Sequence, residues 1–180
     1  MTTKTVNWSD KSSKTGVWYT PEKVLAPVRA SFGGQIPLDP CTHASNPTNA
    51  KAFFTEEDNG LEQDWGGYGG VFVNPPYGKN TDFHDFISKI HREAEAGIQR
   101  LVCLLPCGAR FSTNYWQDEI LTPHLSAMCF VRQRVAFRDA KGQLCKNNRF
   151  DSCFYFYGWD PAEVGKHYSV LGRVLRTELQ

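Results

Sequence analysis

The sequence lacks the features that mark several classes of protein. It has no run approaching the ~20 apolar residues that a membrane-spanning helix needs. Its opening segment, MTTKTVNWSDKSSK, contains no apolar stretch like that of a secretory leader. Six cysteines are present, but none form a CxxC pair, so the short paired spacing of a zinc site is missing. These absences predict a reduced, cytoplasmic protein without a bound metal.

The chain also lacks a large net charge, since its formal total is +1. The charges are nevertheless unevenly distributed. Residues 56–64 carry five acidic side chains and no basic one, whereas residues 132–149 carry six basic side chains against one aspartate. The six basic residues are Arg132, Arg134, Arg138, Lys141, Lys146 and Arg149. A basic segment on a neutral protein fits contact with a polyanion, and it fits a solvated hairpin equally well.

Length and composition fit one ordinary globular domain. The chain has 180 residues, of which 41% are hydrophobic and 22% charged. Residues 1–16 are polar and rich in Thr, Ser and Lys, so we expect a flexible segment there. The remainder shows neither an internal repeat nor a linker. Residues 17–180 are therefore expected to form a single domain.

A strand–helix–strand unit occupies the middle of the sequence. Residues 71–73 are apolar and largely β-branched, which predicts a short buried strand that Pro75 and Pro76 end. Apolar residues then recur at i, i+3, i+4, i+7 and i+11 from Phe83, the pattern of an amphipathic helix. Residues 101–105 form a second buried strand. A connection of this length predicts that the two strands are parallel and adjacent.

The flanking segments complete an α/β prediction. Thr20 is expected to cap a first helix with Pro21 at its first position. Residues 129–137 and 152–157 are predicted strands whose short connection makes them antiparallel. Residues 160–175 have the spacing of a last helix. We therefore expect a mostly parallel sheet with an antiparallel strand near the C-terminus.

The central strand is followed by Asn74-Pro75-Pro76-Tyr77. In open α/β sheets, ligands collect outside the carboxyl ends of the strands. The strand would therefore deliver an amide into a crevice, and the stiff Pro-Pro corner would hold the Tyr77 ring at the crevice mouth, where packing does not require it. Asn and Pro are also common turn residues, so a plain strand-ending turn is the alternative.

These four residues resemble the catalytic NPPY motif of amino-methyltransferases that use S-adenosylmethionine. The resemblance implies that the Asn74 side-chain oxygen and the Pro75 carbonyl accept hydrogen bonds from an –NH2 group. It also implies that Pro76 belongs to the catalytic corner and that Tyr77 stacks on a flipped base. Adenine-N6, glutamine-N5 and some RNA methyltransferases share the motif, so it does not identify the substrate alone.

Three earlier blocks narrow the resemblance. They are Trp18-x-Thr20-Pro21, Leu38-Asp39-Pro40-Cys41, and Asp58-x-Gly60-Leu61 with Trp65. In this order before NPPY, they resemble the phage-type (Dam-like) DNA N-6-adenine methyltransferases over most of the chain. The resemblance implies a compact Rossmann-like methyltransferase fold, S-adenosylmethionine as cofactor and double-stranded DNA as substrate. It further implies a monomer or weak dimer, encoded by a phage or prophage and working in the bacterial cytoplasm.

The same resemblance assigns residues to the cofactor. They are Trp18, Thr20, Pro21, Asp39, Pro40, Cys41 and Asp58. Thr20 and Pro21 match the segment that borders the methionine end of the cofactor, and Asp58 matches the acidic residue beside its adenine ring or ribose. Asp39 matches the acidic end of the first strand, where a plain turn cap is the alternative. This chain departs from the usual pattern because no FxGxG loop follows that strand.

The basic residues of 132–149 flank a hairpin that this fold places on the same rim as NPPY, and Arg110 follows the strand at 101–105. Phosphate contacts from them would be independent of sequence and sensitive to salt. Two alternatives remain. One is a methyltransferase for another amine, either RNA adenine or protein glutamine. The other is a nucleic-acid-binding module that has lost its cofactor.

Overall fold

The computed structural model describes residues 19–77, 82–108, 111–138, 143–145 and 150–178. The segment expected to be flexible, 1–16, lies outside these ranges. So do five of the predicted site residues, which are Trp18, Arg110, Lys141, Lys146 and Arg149. No helix in the described part of the chain is long and apolar enough to cross a membrane.

The described part of the chain contains three α-helices and seven β-strands. In order they are α1 (Glu22–Ser31), β1 (Leu38–Asp39), β2 (Ala52–Phe53), β3 (Val71–Val73), α2 (Phe83–Glu95), β4 (Leu101–Cys107), a π-helical turn (Trp116–Ile120), β5 (Leu125–Val131), β6 (Asp151–Tyr157), α3 (Pro161–Tyr168) and β7 (Gly172–Arg176). The predicted unit of strand, helix and strand is confirmed as β3–α2–β4, and β3 pairs with β4 in parallel.

Within the described residues, seven strands form one sheet in the order β2-β1-β3-β4-β6-β5-β7. Strands β1 to β4 are mutually parallel. Strand β6 is antiparallel to both of its neighbours, β4 and β5, and β7 is antiparallel to β5. The fold is thus mixed α/β, with a parallel part and an antiparallel part. Because β6 is antiparallel to both β4 and β5, these two strands run in the same direction.

Three predicted boundaries are wrong. Helix α1 begins at Glu22, and extended Pro21 occupies the N-cap position, so Thr20 does not cap the helix. Strand β5 ends at Val131, where the chain leaves the sheet. The last helix ends at Tyr168, and an edge strand, β7, replaces its predicted continuation.

The sheet separates two apolar layers. One face of β3 and β4 packs against α2, with Val73, Cys103 and Phe86 buried together. The other face, which includes Phe72 and Val102, packs against α1 and α3. Burial on both faces explains why these strands are continuous apolar runs rather than alternating ones. Because β1, β2, β3, β4 and β5 run in the same direction, their carboxyl ends lie at one edge of the sheet, which we call the carboxyl edge.

Candidate active site

Polar side chains follow neighbouring parallel strands at the carboxyl edge. Asp39 is the last residue of β1, and Asn74 comes directly after β3. Thr55 and Asp58 follow β2, which lies on the other side of β1. Ligands of α/β sheets bind at such an edge. The sheet therefore brings together the predicted catalytic residue and two of the predicted cofactor residues.

Asn74 is held at both ends of its side-chain amide. Its Nδ2 donates to the hydroxyl oxygen of buried Thr20 at 3.1 Å. Its Oδ1 accepts from the hydroxyl of Tyr77 at 2.6 Å. Its backbone N–H donates to the sulfur of Cys41, whose pKa is raised well above the usual range by burial. Thr20, 54 positions earlier in the chain, and Tyr77, three positions later, thus fix the two ends of this side-chain amide.

Tyr77 also packs in the interior, which differs from the expectation that packing does not require its ring. The ring lies edge-on to Phe83 and Phe137, with centroids 5.8 Å and 6.3 Å away. Burial raises the pKa of its hydroxyl well above 10, so the group is a neutral donor. That hydroxyl contacts the backbone carbonyl of Leu104 as well as Asn74.

The position of Leu104 explains why the Tyr77 hydroxyl points inward. Strand β4 continues past the last residue that it pairs with β3, which is Cys103 opposite Val73. The chain after β3 contains two prolines, and proline has no N–H with which to extend the ladder. The Tyr77 hydroxyl supplies a donor to the Leu104 carbonyl. The Tyr77 hydroxyl carries one hydrogen and contacts two acceptors, Asn74 Oδ1 and the Leu104 carbonyl. These two acceptors can therefore receive a hydrogen bond from one further donor.

Asp39 organises the loop that follows β1. Its side chain is 3% exposed, and its carboxylate accepts from the Thr48 hydroxyl at 2.8 Å and from the backbone N–H of Cys41 at 3.2 Å. Burial raises its pKa to about 6, although these hydrogen bonds and one from Thr42 oppose the shift. The predicted cofactor role of Asp39 and the turn-cap role are compatible with this geometry.

Asp58 closes a turn at the end of β2. Its Oδ2 accepts from both the backbone N–H and the hydroxyl of Thr55 at 2.8 Å, and these bonds lower its pKa. The turn lies against the loop after β1, because a Cβ on Gly60 would meet the carbonyl oxygen of Pro40 at 1.9 Å. Only glycine fits there. Asp58 and Pro40 therefore belong to adjoining loops, as the predicted cofactor site requires.

The basic segment reaches the same edge in two places. The backbone of Arg138 pairs with that of Tyr19, the residue before Thr20, at 2.7 Å and 3.1 Å. Arg132 and Arg134 are exposed just beyond the carboxyl end of β5, which runs the same way as β4. Arg134 forms an exposed ion pair with Asp151 at 3.2 Å. Arg132 and Arg134 are separated from β3 by β4 and β6.

The sequence analysis missed three contributors to this site. Leu104 contributes a backbone carbonyl, Phe137 contributes packing for Tyr77, and Thr48 supports Asp39. Thr20 was identified, but its contact with Asn74 was not. The sequence signal that could have drawn attention to Phe137 was the apolar residue at every second position, Val135 and Phe137.

The described residues at this site offer hydrogen-bond acceptors beyond the end of β3. Among the residues that the structure describes, no group of three or more His, Cys, Asp or Glu side chains could hold a metal ion. The Asn74 oxygen and the buried Pro75 are adjacent in the chain, directly beyond β3. Neutral acceptors of this kind are suited to an –NH2 group.

The structure thus defines a mixed α/β protein with amide acceptors at the carboxyl edge of its sheet. The family model described as DNA N-6-adenine-methyltransferase (Dam) matches residues 8–163. No curated protein and no solved structure matches the chain. The chain therefore belongs to the DNA N-6-adenine-methyltransferase (Dam) family and is, in general terms, a DNA adenine methyltransferase. This confirms the resemblance that the four sequence blocks indicated.

Proposed function

We propose that the protein transfers a methyl group from S-adenosylmethionine to N6 of adenine at specific sites in double-stranded DNA. The observation that carries this proposal is the Asn74 amide, fixed between Thr20 and Tyr77 directly beyond β3. The insertion of antiparallel β6 between β4 and β5 supports a Rossmann-like methyltransferase sheet. We assign this sheet and its helices to one domain over residues 17–180.

The residues at the carboxyl edge fit the cofactor. Asp39 is the only buried carboxylate among the described residues, which suits a ligand that carries positive charge. Pro40 and Cys41 follow it directly, and the Asp58 turn adjoins Pro40. Thr20 and Pro21 border the same site from the Asn74 side. Bound S-adenosylmethionine would supply an activated methyl group on a sulfonium, so the reaction requires neither a metal nor a strong base.

The chain's own residues position the amine. In this proposal, Asn74 Oδ1 and the Pro75 carbonyl accept the two N6 hydrogens and hold the nitrogen lone pair toward the methyl carbon. The same two acceptors stabilise the positive charge that develops on nitrogen as the new C–N bond forms and the C–S bond breaks. The surplus proton then leaves N6 for water.

In this proposal, Tyr77 and the basic segment bind the DNA. The Tyr77 hydroxyl donates to Asn74 Oδ1 in the free protein, and the N6 amine would compete for this acceptor when the base arrives. Stacking on the ring contributes roughly 1–3 kcal/mol, comparable to the few kcal/mol that base flipping requires. Arg132, Arg134 and Arg138 would contact phosphates, which position the duplex without reading its sequence.

Incubation with labelled S-adenosylmethionine and DNAs of varied sequence, followed by nucleoside analysis, tests the proposal. We expect label in N6-methyladenine from double-stranded DNA and from a subset of sequences. Label in RNA adenine or in protein glutamine instead would contradict the substrate. Calorimetry that detects no binding of S-adenosylmethionine would favour a non-catalytic nucleic-acid-binding module.

A further inference from the structure

Thr20 makes a contact that its sequence position does not suggest. It lies 54 positions from Asn74, and its hydroxyl oxygen nevertheless accepts the Nδ2 hydrogen of that residue at 3.1 Å. The side chain is 8% exposed, so solvent does not compete strongly for this bond. The resemblance assigned Thr20 to the cofactor, whereas the contact is with the amide that receives the substrate amine.

The backbone on both sides of Thr20 is fixed. Tyr19 exchanges two backbone hydrogen bonds with Arg138. The carbonyl of Pro21 accepts the first bonds of α1, from Val24 at 2.9 Å and Leu25 at 3.1 Å. Thr20 therefore provides a fixed point of attachment, because its backbone cannot shift without displacing a helix start and a backbone pair.

The orientation of the Asn74 amide depends on such a point. Rotation about the last side-chain bond of asparagine has only broad minima, so hydrogen bonds decide which end faces the substrate. If Nδ2 faced the amine, two donors would oppose each other and the amine would not be held. Two hydroxyls restrain the amide in the free protein, those of Thr20 and Tyr77.

Only the bond to Thr20 is at the end of the amide that the substrate does not use. The amine and the Tyr77 hydroxyl compete for Oδ1, and the single hydroxyl hydrogen of Tyr77 has the Leu104 carbonyl as its other acceptor. The bond from Nδ2 to Thr20 has no such competitor and continues to hold the amide during the reaction. We infer that Thr20 is a positioning residue for methyl transfer, which holds Asn74 through Nδ2 so that Oδ1 faces the target amine. This inference rests on the proposed function.

Thr20→Val and Thr20→Ser test the inference with S-adenosylmethionine and an adenine-containing duplex. Valine keeps the shape and removes the hydroxyl, so we expect the single-turnover rate to fall about 10- to 100-fold, as for other misplaced catalytic groups. The dissociation constant for S-adenosylmethionine, measured by calorimetry, should stay within about twofold. Thr20→Ser restores the hydroxyl and should recover the rate to within about threefold.

Thr122→Val is the matched control. Thr122 is buried, but its hydroxyl has no hydrogen-bond partner within the described part of the chain, so the rate should not change. In the Asn74→Ala background, Thr20→Val should have no additional effect, because the amide that it positions is gone.

Three results would overturn the inference. A Thr20→Val enzyme with the wild-type rate would show that the bond is dispensable. Loss of cofactor affinity in proportion to the rate would assign Thr20 to the cofactor instead. A wild-type enzyme that forms no N6-methyladenine would overturn the proposed function together with this inference, whereas the first two results leave the proposed function standing.

Discussion

Asn74 and Asp39 both lie at the carboxyl ends of neighbouring strands, yet their partners come from different distances along the chain. Asp39 bonds Thr48 and Cys41, nine and two positions away. Asn74 bonds Thr20, 54 positions away, and Tyr77, whose hydroxyl also contacts Leu104 at a separation of 27. One side of the site is thus organised within its own loop, and the other is assembled by the fold.

Replacement of Asn74 should have the largest effect, and it should affect methyl transfer without affecting cofactor binding. Asn74→Ala removes the acceptor that we propose to hold N6, so methyl transfer should fall by at least roughly 10²–10³-fold, as when one stabilising group is lost elsewhere. Binding of S-adenosylmethionine should be largely unchanged, because the Asp39 loop is intact. Single-turnover kinetics and calorimetry measure the two quantities separately.

Gln99→Ala controls for the loss of an amide. Gln99 is exposed near the amino end of β4, at the opposite edge of the sheet, and its bond is to the backbone of Gly97. That variant should retain full activity. Near-wild-type methylation by Asn74→Ala would contradict the assignment of NPPY as the catalytic motif.

The raised pKa of Asp39 predicts that stability depends on pH, an effect that the uncharged Asn74 side chain cannot produce. Burial raises its pKa to about 6 from 3.8, so the folded protein holds a proton that the unfolded chain releases. This contribution to stability is fully present below pH ~4 and is lost as pH rises through about 6. Relative to Asp39→Asn, the wild-type free energy of unfolding should fall by roughly 2 kcal/mol between pH 4 and 7.

Denaturant unfolding of both proteins across this pH range measures the difference. Asp58→Asn is the matched control, because hydrogen bonds from Thr55 lower the pKa of that exposed carboxyl. Its contribution has the opposite sign and is lost as pH falls. Parallel pH profiles for the wild type and Asp39→Asn would contradict the raised pKa.

The same contrast explains which features the sequence predicted. The unit β3–α2–β4 was predictable because its apolar spacing is regular and its connection length allows one pairing. The NPPY motif and Asp39 were predictable as candidates because each directly follows a strand. Contacts within the Asp39 loop are short-range and involve turn-forming residues.

The contacts of Asn74 and Tyr77 were not predictable from local patterns. The inward Tyr77 hydroxyl depends on how far β4 extends beyond β3, which only the assembled sheet determines. Thr20 was expected to cap α1, and the tertiary contact with Asn74 replaced that local role. Strand β7 was missed because Tyr168, Leu171 and Leu175 have helical spacing across the boundary between α3 and the strand.

Tyr77 allows the stacking role and the packing role to be separated. Tyr77→Ala removes the ring, so kcat/KM for DNA should fall about 10- to 100-fold, in line with the loss of one base-stacking contact. Tyr77→Phe keeps the ring between Phe83 and Phe137 and should retain most of this activity. It should lower the free energy of unfolding by about 1 kcal/mol, because the Leu104 carbonyl loses its hydroxyl donor.

Thermal or denaturant unfolding, measured beside steady-state kinetics, distinguishes these effects. A Tyr77→Ala enzyme with unchanged kcat/KM would remove Tyr77 from base binding and leave it as a packing residue. Equal losses of activity in both variants would instead place the hydroxyl, rather than the ring, in the reaction.

The smallest effect is expected farthest from Asn74, at the end of β5. Arg132 and Arg134 are both exposed, but Arg134 is paired with Asp151 and has part of its charge neutralised. Arg132→Gln should therefore lower the slope of log K against log salt by about 0.9, the contribution of one phosphate contact, and Arg134→Gln by less. Arg176→Gln, at the opposite end of the neighbouring strand, should leave the slope unchanged. Equal slopes for all four proteins would mean that the end of β5 does not bind phosphate, and the duplex would then be held by residues nearer to Thr20 and Asn74.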